Sequence, residues 1–287
     1  MPAVQRSFSL RVLKRLLVLI MVAVLLSTNL MIWHNWRIEH EVLHTQEKAW
    51  ANEFNLDLKR AVQSESQGLN QTLLAISTQS ALIQAMARND TERLQANWTP
   101  LFEQLRTQYD VTHFYFIAPD HTCLLRLHLP EQRGDRIDHN TLLEAERTGQ
   151  SAWGLEIGKT GVLTLHFVQP VFDGDRLLGF LELGKEVERI LTQLRPSDEH
   201  TYRFAVLLDK AHLDRANWES GMQMLRRQAD WDALPRSVVE LLGPELTMET
   251  LKFLLARSDW DNTEVAADLD GRRWHLQLEP LHVSGGE

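Results

Sequence analysis

The feature that most constrains this 287-residue chain is an uncharged apolar run near its N-terminus. Residues 16–33 read LLVLIMVAVLLSTNLMIW, without Asp, Glu, Lys or Arg. A membrane-spanning helix needs roughly 20 mostly apolar residues, which this run approaches. The basic residues that precede it are Arg6, Arg11, Lys14 and Arg15. Because positive flanks are retained in the cytoplasm, residues 1–15 are expected inside and the rest of the chain outside.

A cleaved signal peptide is the main alternative for the same run. Its apolar core would span roughly 7–15 residues and end at a small-x-small cleavage site. The run is longer, and the residues 29–33 (NLMIW) offer no such site. The sequence therefore favours an uncleaved anchor in the inner membrane, crossing the lipid bilayer once and carrying a periplasmic C-terminal part.

Residues 34–110 are predicted to be helical, with one long helix over about 34–85. Between residues 34 and 85 there is no proline and only one glycine, Gly68, and apolar residues recur at steps of three, four or seven. A second helix over 91–109 follows Asn89 and Asp90, which are suited to cap it. The long stripe predicts either a homodimer through this helix or packing against the chain's own domain.

The pattern changes to strands after residue 110. Predicted strands are 111–118, 122–128, 152–157, 162–172 and 177–183, with a short helix at 140–149 and another at 185–195. A weaker pattern in 196–287 predicts a strand at 204–208, helices at 214–227 and 247–257, and a hairpin of 265–269 with 274–278 around Asp270-Gly271. The predicted class is α+β, with one sheet module in 111–195 and a second in 196–287.

Several functions are disfavoured by composition and motifs. The net charge of −9 argues against binding nucleic acid, which normally requires a basic face. The single cysteine, Cys123, excludes an intrachain disulfide and is expected to be a buried apolar residue of its strand. No nucleophile elbow, HExxH motif or P-loop occurs, so no enzyme activity, cofactor or metal is predicted.

Strand alternation identifies a candidate ligand site. One face of the first sheet is predicted to gather Tyr115, Arg126, His128, Thr164, His166 and Glu182, while Cys123, Leu125 and Leu127 face the other way. Arginine offers a planar fork for a carboxylate, and Glu182 could pair with an amine, so the set suits a carboxylate or amino-acid-like ligand. The alternative is an ordinary solvent-facing side of an antiparallel sheet.

Five segments in order resemble the double Cache sensor domains, in particular the third subclass found in bacterial histidine kinases, diguanylate cyclases and chemoreceptors. They are THFYFIAPD (112–120), LLRLHLPEQRGDRID (124–138), LLEAERTG (142–149), GLEIG (154–158) and GFLELGKEVERIL (179–191). The resemblance implies two stacked PAS-like lobes, a ligand pocket in the membrane-distal one and a second identical chain as partner.

Members of that family normally continue to a second membrane helix and an output domain. The sequence shows no second apolar run of membrane length, and the last strand expected after residues 281–283 is missing. The expectation is therefore a small-molecule sensor without its own output domain and with an incomplete second lobe. The alternative is a membrane-anchored scaffold that pairs with another receptor and binds no ligand.

Overall fold

The computed structural model describes residues 3–158, 161–194, 203–225, 227–228, 230–243, 246–257, 264–269, 271–278 and 280–281. The chain divides into two units, residues 1–56 and 57–287. The position of the last strand of the second lobe, which the sequence analysis found missing after residues 281–283, lies outside the described residues.

The first helix, α1 (Ala3–Ser77), carries the apolar run. Within the described part of the chain it is the one helix long and apolar enough to cross a membrane, over Leu13–Ile38. Its large apolar side chains there, such as Leu19 and Leu26, are exposed, as a lipid-facing helix requires. The predicted membrane segment 16–33 therefore lies within a helix of suitable length and composition.

The long helix ends earlier than the sequence predicted. It stops at Ser77, because Gln79 is extended (φ −74°, ψ 128°) and starts a separate helix, α2 (Ser80–Ala87). The next helix, α3 (Thr91–Tyr109), has the predicted bounds. The Asp90 carboxylate accepts a hydrogen bond from the Arg93 N–H at 3.0 Å, which caps its first turn.

The first lobe, residues 113–191, contains a five-stranded antiparallel sheet in the order β2-β1-β5-β4-β3. Its strands are β1 (His113–Ile117), β2 (Cys123–Arg126), β3 (Ala152–Ile157), β4 (Leu163–Asp173) and β5 (Arg176–Glu186). Helix α4 (Asn140–Thr148) lies between β2 and β3 in sequence, and α5 (Val187–Leu191) follows β5. All five predicted strands are confirmed.

The predicted start of the helix after β5 was wrong. Residues 185 and 186 continue the strand, because Lys185 pairs with Leu165 and Glu186 pairs with Thr164 on the long neighbouring strand β4. The helix begins only at Val187. Cross-strand pairing, which is not visible in local sequence, extends β5 from the predicted end at residue 183 to Glu186.

The apolar face of this sheet packs on α3. Phe114 meets Phe102 edge to face at 6.4 Å between ring centroids, and Phe116 meets Trp98 in the same way at 6.0 Å. Helix α3 supplies these aromatic contacts, and α1 approaches the sheet through the ion pair of Glu65 with Lys185 at 2.8 Å.

The second lobe, residues 205–277, has two separate two-stranded sheets among the described residues. They are formed by β6 (Ala205–Asp209) with β7 (Ser237–Leu242), and by β8 (Glu264–Leu269) with β9 (Arg272–Gln277). Helices α6 (Arg215–Met224) and α7 (Met248–Leu255) match the predicted ones, but β7 was not predicted.

Candidate functional site

The sheet register brings the predicted polar residues onto one face of the first lobe. Tyr115 lies opposite Arg126 on β2 and opposite Glu182 on β5. His166 on β4 lies opposite Gly184 on β5, two residues beyond Glu182 along that strand. The six predicted residues therefore share one face, whereas their part in binding a ligand remains a prediction.

His128 and Thr164 occupy the margins of this face. The His128 ring packs against Tyr115 with 4.9 Å between ring centroids. Thr164 pairs with Glu156 on β3 and with Glu186 on β5, and its side chain is buried. The face is not solvent-facing, because α4 packs across β3 and β4. The ordinary alternative of a half-exposed polar sheet surface is therefore wrong here.

Glu182 is the centre of the site and is completely buried. Its Oε1 lies 2.6 Å from His166 Nδ1, and its Oε2 lies 2.9 Å from His139 Nε2. Burial alone would raise the pKa of this carboxyl, but the charges and hydrogen bonds of His139 and His166 outweigh burial and hold the pKa well below its usual range. Glu182 is therefore an ionised carboxylate clasped between two imidazoles.

His139 also belongs to the start of α4. Its Nδ1 accepts a hydrogen bond from the Leu142 N–H at 3.4 Å, so Nε2 carries the ring proton and donates to Glu182. Burial by itself would lower the pKa of His139, but the Glu182 carboxylate outweighs it and raises the pKa. The Glu156 carboxylate accepts from the N–H groups of Asn140 and Thr141 at 2.8 and 2.6 Å and also contacts the Thr141 hydroxyl. A buried carboxylate of β3 thus anchors the helix that covers the site.

Two further imidazoles line the same face in neutral form. Burial lowers the pKa of His113 well below its ordinary value, with help from the nearby His128 and His166. Burial and the charge of Arg126 lower the pKa of His128 to about 4. The rings of His113 and His128 meet edge to face at 4.6 Å between centroids. The face therefore offers uncharged nitrogen groups beside the buried carboxylate of Glu182.

The guanidinium of Arg126, which was predicted to bind a ligand carboxylate, is already hydrogen-bonded within the chain. Its Nη1 and Nη2 donate to the two Asp135 oxygens at 2.7 and 2.8 Å, and Nη1 also donates to the Gln132 carbonyl at 2.7 Å. The guanidinium lies over the Tyr115 ring, 5.2 Å from its centroid. The Asp135 carboxylate thus occupies the guanidinium nitrogens of Arg126 that the sequence analysis assigned to a ligand.

Cys123 lies on the other side of its strand from the side predicted. A β-bulge between Phe116 and Ile117 places Cys123 opposite Ile117, and it joins the buried cluster with Val168 and Phe180. Simple alternation fails because the bulge inserts one residue. Burial raises the pKa of the Cys123 thiol to about 11, so the thiol is an inert apolar group.

The Nε2 atom of His166 is buried and has no hydrogen-bond partner among the residues that the structure describes. Gly154 and Gly184 flank His166 on the two neighbouring strands. A Cβ at Gly184 would lie 3.0 Å from the Cβ of His113 and 3.1 Å from Cγ2 of Thr164, so only glycine allows these side chains to stand so close. A buried nitrogen without a partner costs about 1–3 kcal/mol, which marks it as a point for an incoming group.

Three residues of the site were missed by sequence reasoning, namely His113, His139 and Glu156. His113 shares the strand alternation of Tyr115, which was a usable signal. His139 precedes the predicted helix at 140–149 and could have been considered as its cap. For Glu156 the sequence carried no signal, because its role depends on the approach of α4 to β3.

The described part of the chain contains one helix of membrane length and an antiparallel sheet that carries buried ionisable groups on one face. The family described as dCache_3, the double sensory domain of two-component sensor kinases, matches residues 33–287, and the chain belongs to this family. No curated protein matched the sequence.

Solved sensor domains show weak likeness to the chain. The extracellular domain of vpHK1S-Z8 is 14% identical, with a TM-score of 0.39, and 54% of this chain covers 62% of that one, less than two thirds of its length. The sensor domain of the Vibrio cholerae histidine kinase DctB is 15% identical, with a TM-score of 0.41, over 70% of this chain and 89% of that one. The sensory domain of the Campylobacter jejuni chemoreceptor Tlp3 with isoleucine bound is 13% identical, with a TM-score of 0.33, over 76% and 82%.

Proposed function

We propose that this chain is the extracytoplasmic small-molecule-sensing part of a bacterial signal-transduction receptor and has no enzyme activity of its own. The observation that carries the proposal is the buried polar face of the first lobe, where the His166 Nε2 atom, beside the buried Glu182, has no hydrogen-bond partner in the described part of the chain. A polar group buried without a partner is stabilised when a ligand atom satisfies it.

The proposed ligand is a small organic molecule with a carboxylate or amino-acid-like head. Its contacts would be Tyr115, Arg126, His128, Thr164, His166 and Glu182, as the sequence predicted. Several of them already have partners, because Arg126 is held by Asp135, and Glu182 is held by His139 and by His166 of the same set. A ligand carboxylate could replace Asp135, whose side chain is 41% exposed and therefore able to leave.

A route for the signal runs along β5 to α1. Glu182 and Lys185 lie three residues apart on β5, and the Lys185 ammonium, 3% exposed, pairs with Glu65 of α1 at 2.8 Å. A shift of β5 on ligand binding would therefore act on α1 through a buried cation. Such a signal requires that the two conformations bind the ligand with different affinity.

We further propose that residues 1–15 lie in the cytoplasm, that residues 34–287 lie in the periplasm, and that two chains pair through α1. Alkaline phosphatase fused after residue 287 should be active in cells, because that enzyme folds only outside the cytoplasm. Leu56→Cys in a Cys123→Ser background should form a crosslinked dimer in membranes, since the Leu56 side chain is half exposed. An inactive fusion contradicts the orientation, and a chain that stays monomeric contradicts the pairing.

Ligand binding is tested by the melting temperature of the full chain in detergent. Millimolar L-isoleucine, succinate and butylamine represent amino acids, dicarboxylates and amines, and at least one class should raise Tm by several degrees. His166→Leu should abolish that rise, whereas His212→Ala, a change at an exposed histidine of the second lobe, should keep it. If no member of the three classes stabilises the chain, the proposed function is wrong.

A further inference from the structure

We propose that His139, His166 and Glu182 form a binding site for one divalent transition-metal ion of the zinc type. The three residues come from the loop before α4, from β4 and from β5, and each offers a ligand atom within 4.8 Å of the other two. This inference goes beyond the proposed organic ligand and does not depend on it.

Shifts of the three side chains would bring their ligand atoms to the spacing that an ion requires. Zinc binds imidazole nitrogen and carboxylate oxygen at about 2.0–2.2 Å, which places neighbouring ligand atoms of a tetrahedral site roughly 3.3 Å apart. The present separations are 2.6 Å for His166 Nδ1 to Glu182 Oε1 and 2.9 Å for His139 Nε2 to Glu182 Oε2. An ion would replace the two N–H protons that now fill these gaps, so each histidine nitrogen would move about half an ångström away from its Glu182 oxygen. The two histidine nitrogens, which lie within 4.8 Å of each other, would take the same spacing of roughly 3.3 Å.

The ligand types select the class of metal. Two imidazoles with one carboxylate suit zinc, nickel, cobalt or copper, whereas calcium and magnesium prefer shells made of oxygen atoms. Glu182 is completely buried, so its negative charge already requires a cationic or hydrogen-bonding environment. A divalent ion between the three groups meets that need directly.

Coordination through His139 Nε2 changes one contact at the start of α4. The ring proton then resides on Nδ1, so the 3.4 Å hydrogen bond from the Leu142 N–H is lost. The helix start keeps its other support, because the Glu156 carboxylate accepts from the N–H groups of Asn140 and Thr141 at 2.8 and 2.6 Å. Metal binding would therefore remove only the 3.4 Å hydrogen bond from the Leu142 N–H, which is longer than the two that Glu156 accepts.

Coordination through His166 Nδ1 changes the role of the other nitrogen of that ring. It places the ring proton on Nε2, the buried atom that lacks a partner among the described residues. This nitrogen becomes a donor and is suited to a carboxylate. Three protein ligands also leave a fourth coordination position open, so an ion would prepare the site for a small acid. His139, with a side chain 18% exposed, is the ligand nearest to solvent and marks the side of entry.

The test uses the full chain in detergent after treatment with a chelator. Isothermal titration with zinc chloride should give one ion per chain, and zinc should raise Tm by about 5 °C at a hundredfold excess over Kd. Cobalt should give the visible d–d absorption of a tetrahedral site. His139→Ala, His166→Ala and Glu182→Gln should each weaken zinc binding at least tenfold.

The matched control is His121→Ala, which removes another buried histidine of the same lobe, 3.2 Å from the Glu146 carboxylate. This variant should bind zinc as the native chain does. No zinc binding by the native chain, or equal binding by a His139→Ala/Glu182→Gln double variant, overturns the proposal. A Tm rise with L-isoleucine or succinate that survives the chelator would leave the proposed function standing while the metal site fails.

Discussion

Both lobes bury a glutamate, and the comparison of the two shows what decides the state of such a group. In the first lobe one carboxylate, Glu182, lies between two imidazoles. At the junction with the second lobe, carboxylates outnumber their cationic partners. There Arg227 contacts three carboxylates, with Nη2 2.7 Å from Glu186 and Nη1 3.3 Å from Glu240, and it also contacts Glu188.

The two arrangements shift the pKa in opposite directions. The pKa of Glu182 is held far below its usual range, because its partners outweigh the cost of burial. Burial raises the pKa of Glu240 to about 7, and the neighbouring Glu186 adds to the rise while Arg227 opposes it. Burial acts alike on both residues, so the number of cationic partners per carboxylate decides the outcome. Glu182 therefore stays ionised, whereas Glu240 changes its protonation state near a pH of about 7.

The largest effect is expected from Glu182→Ala. The change leaves the buried imidazole of His166 and the partly buried imidazole of His139 without their shared acceptor. Breaking a buried pair of this kind costs about 3–5 kcal/mol, which lowers Tm by about 10 °C. Differential scanning fluorimetry of the chelator-treated full chain measures it. A Tm equal to that of the native chain would show that Glu182 is not the centre of the first lobe.

A smaller loss is expected from Arg227→Gln. It leaves Glu186, Glu188 and Glu240 facing one another without the guanidinium, at an expected cost of about 2–3 kcal/mol. The drop in Tm should be greater at pH 8 than at pH 5, because only ionised carboxylates repel. An equal drop at both values would mean that Arg227 contributes through packing and that the junction is not electrostatic.

Glu240→Gln is expected to stabilise the chain. The pKa of Glu240, about 7, lies above its ordinary value of 4.5, so the fold favours the protonated form, and the native chain loses stability as the pH rises from about 4.5 through 7. Glutamine removes that loss. The variant should exceed the native chain by about 1–3 kcal/mol at pH 8 and match it near pH 4.5.

The check is the Tm of native chain and variant at the two pH values. Glu249→Gln, at an exposed position of α7, is the matched control and should show no such pH-dependent gain. A Glu240→Gln chain that is less stable than the native one at pH 8 would remove the contrast between the two lobes.

The smallest effect is expected from Glu144→Ala on the outer surface of α4. Glu144 pairs with Arg147 at 2.6 Å, but the two side chains are 50% and 70% exposed. Solvent screens such a pair, so Tm should stay unchanged within error. A measurable drop would show that the helix over the site depends on its outer surface as well as on Glu156.

Much of the fold followed from local patterns. The uncharged run, the helix over Thr91–Tyr109 and the strands of the first lobe were predicted because periodicity and end signals are local. Strand β7 was not predicted, although its sequence SVVELL contains two valines, because stronger helical patterns lie on both sides of it. The early end of α1 was missed because no glycine or proline marks the break before Gln79.

The candidate site divides in the same way. Strand alternation alone placed Tyr115, Arg126, Thr164, His166 and Glu182 on one face, since alternate residues of a strand always share a side. The partners of those residues could not be predicted, because Asp135, His139 and Glu156 reach the site from a loop, a helix start and another strand.

By itself the sequence determined that the chain has one membrane-length apolar helix, a helical connector and an antiparallel sheet with a polar face. Only the tertiary structure decided that this face is buried under α4, that the chain's own Asp135 occupies the Arg126 fork, and that two histidines share Glu182. The physical reason is that periodicity depends on neighbours along the chain, whereas the charge and accessibility of a buried group depend on whatever the fold brings against it.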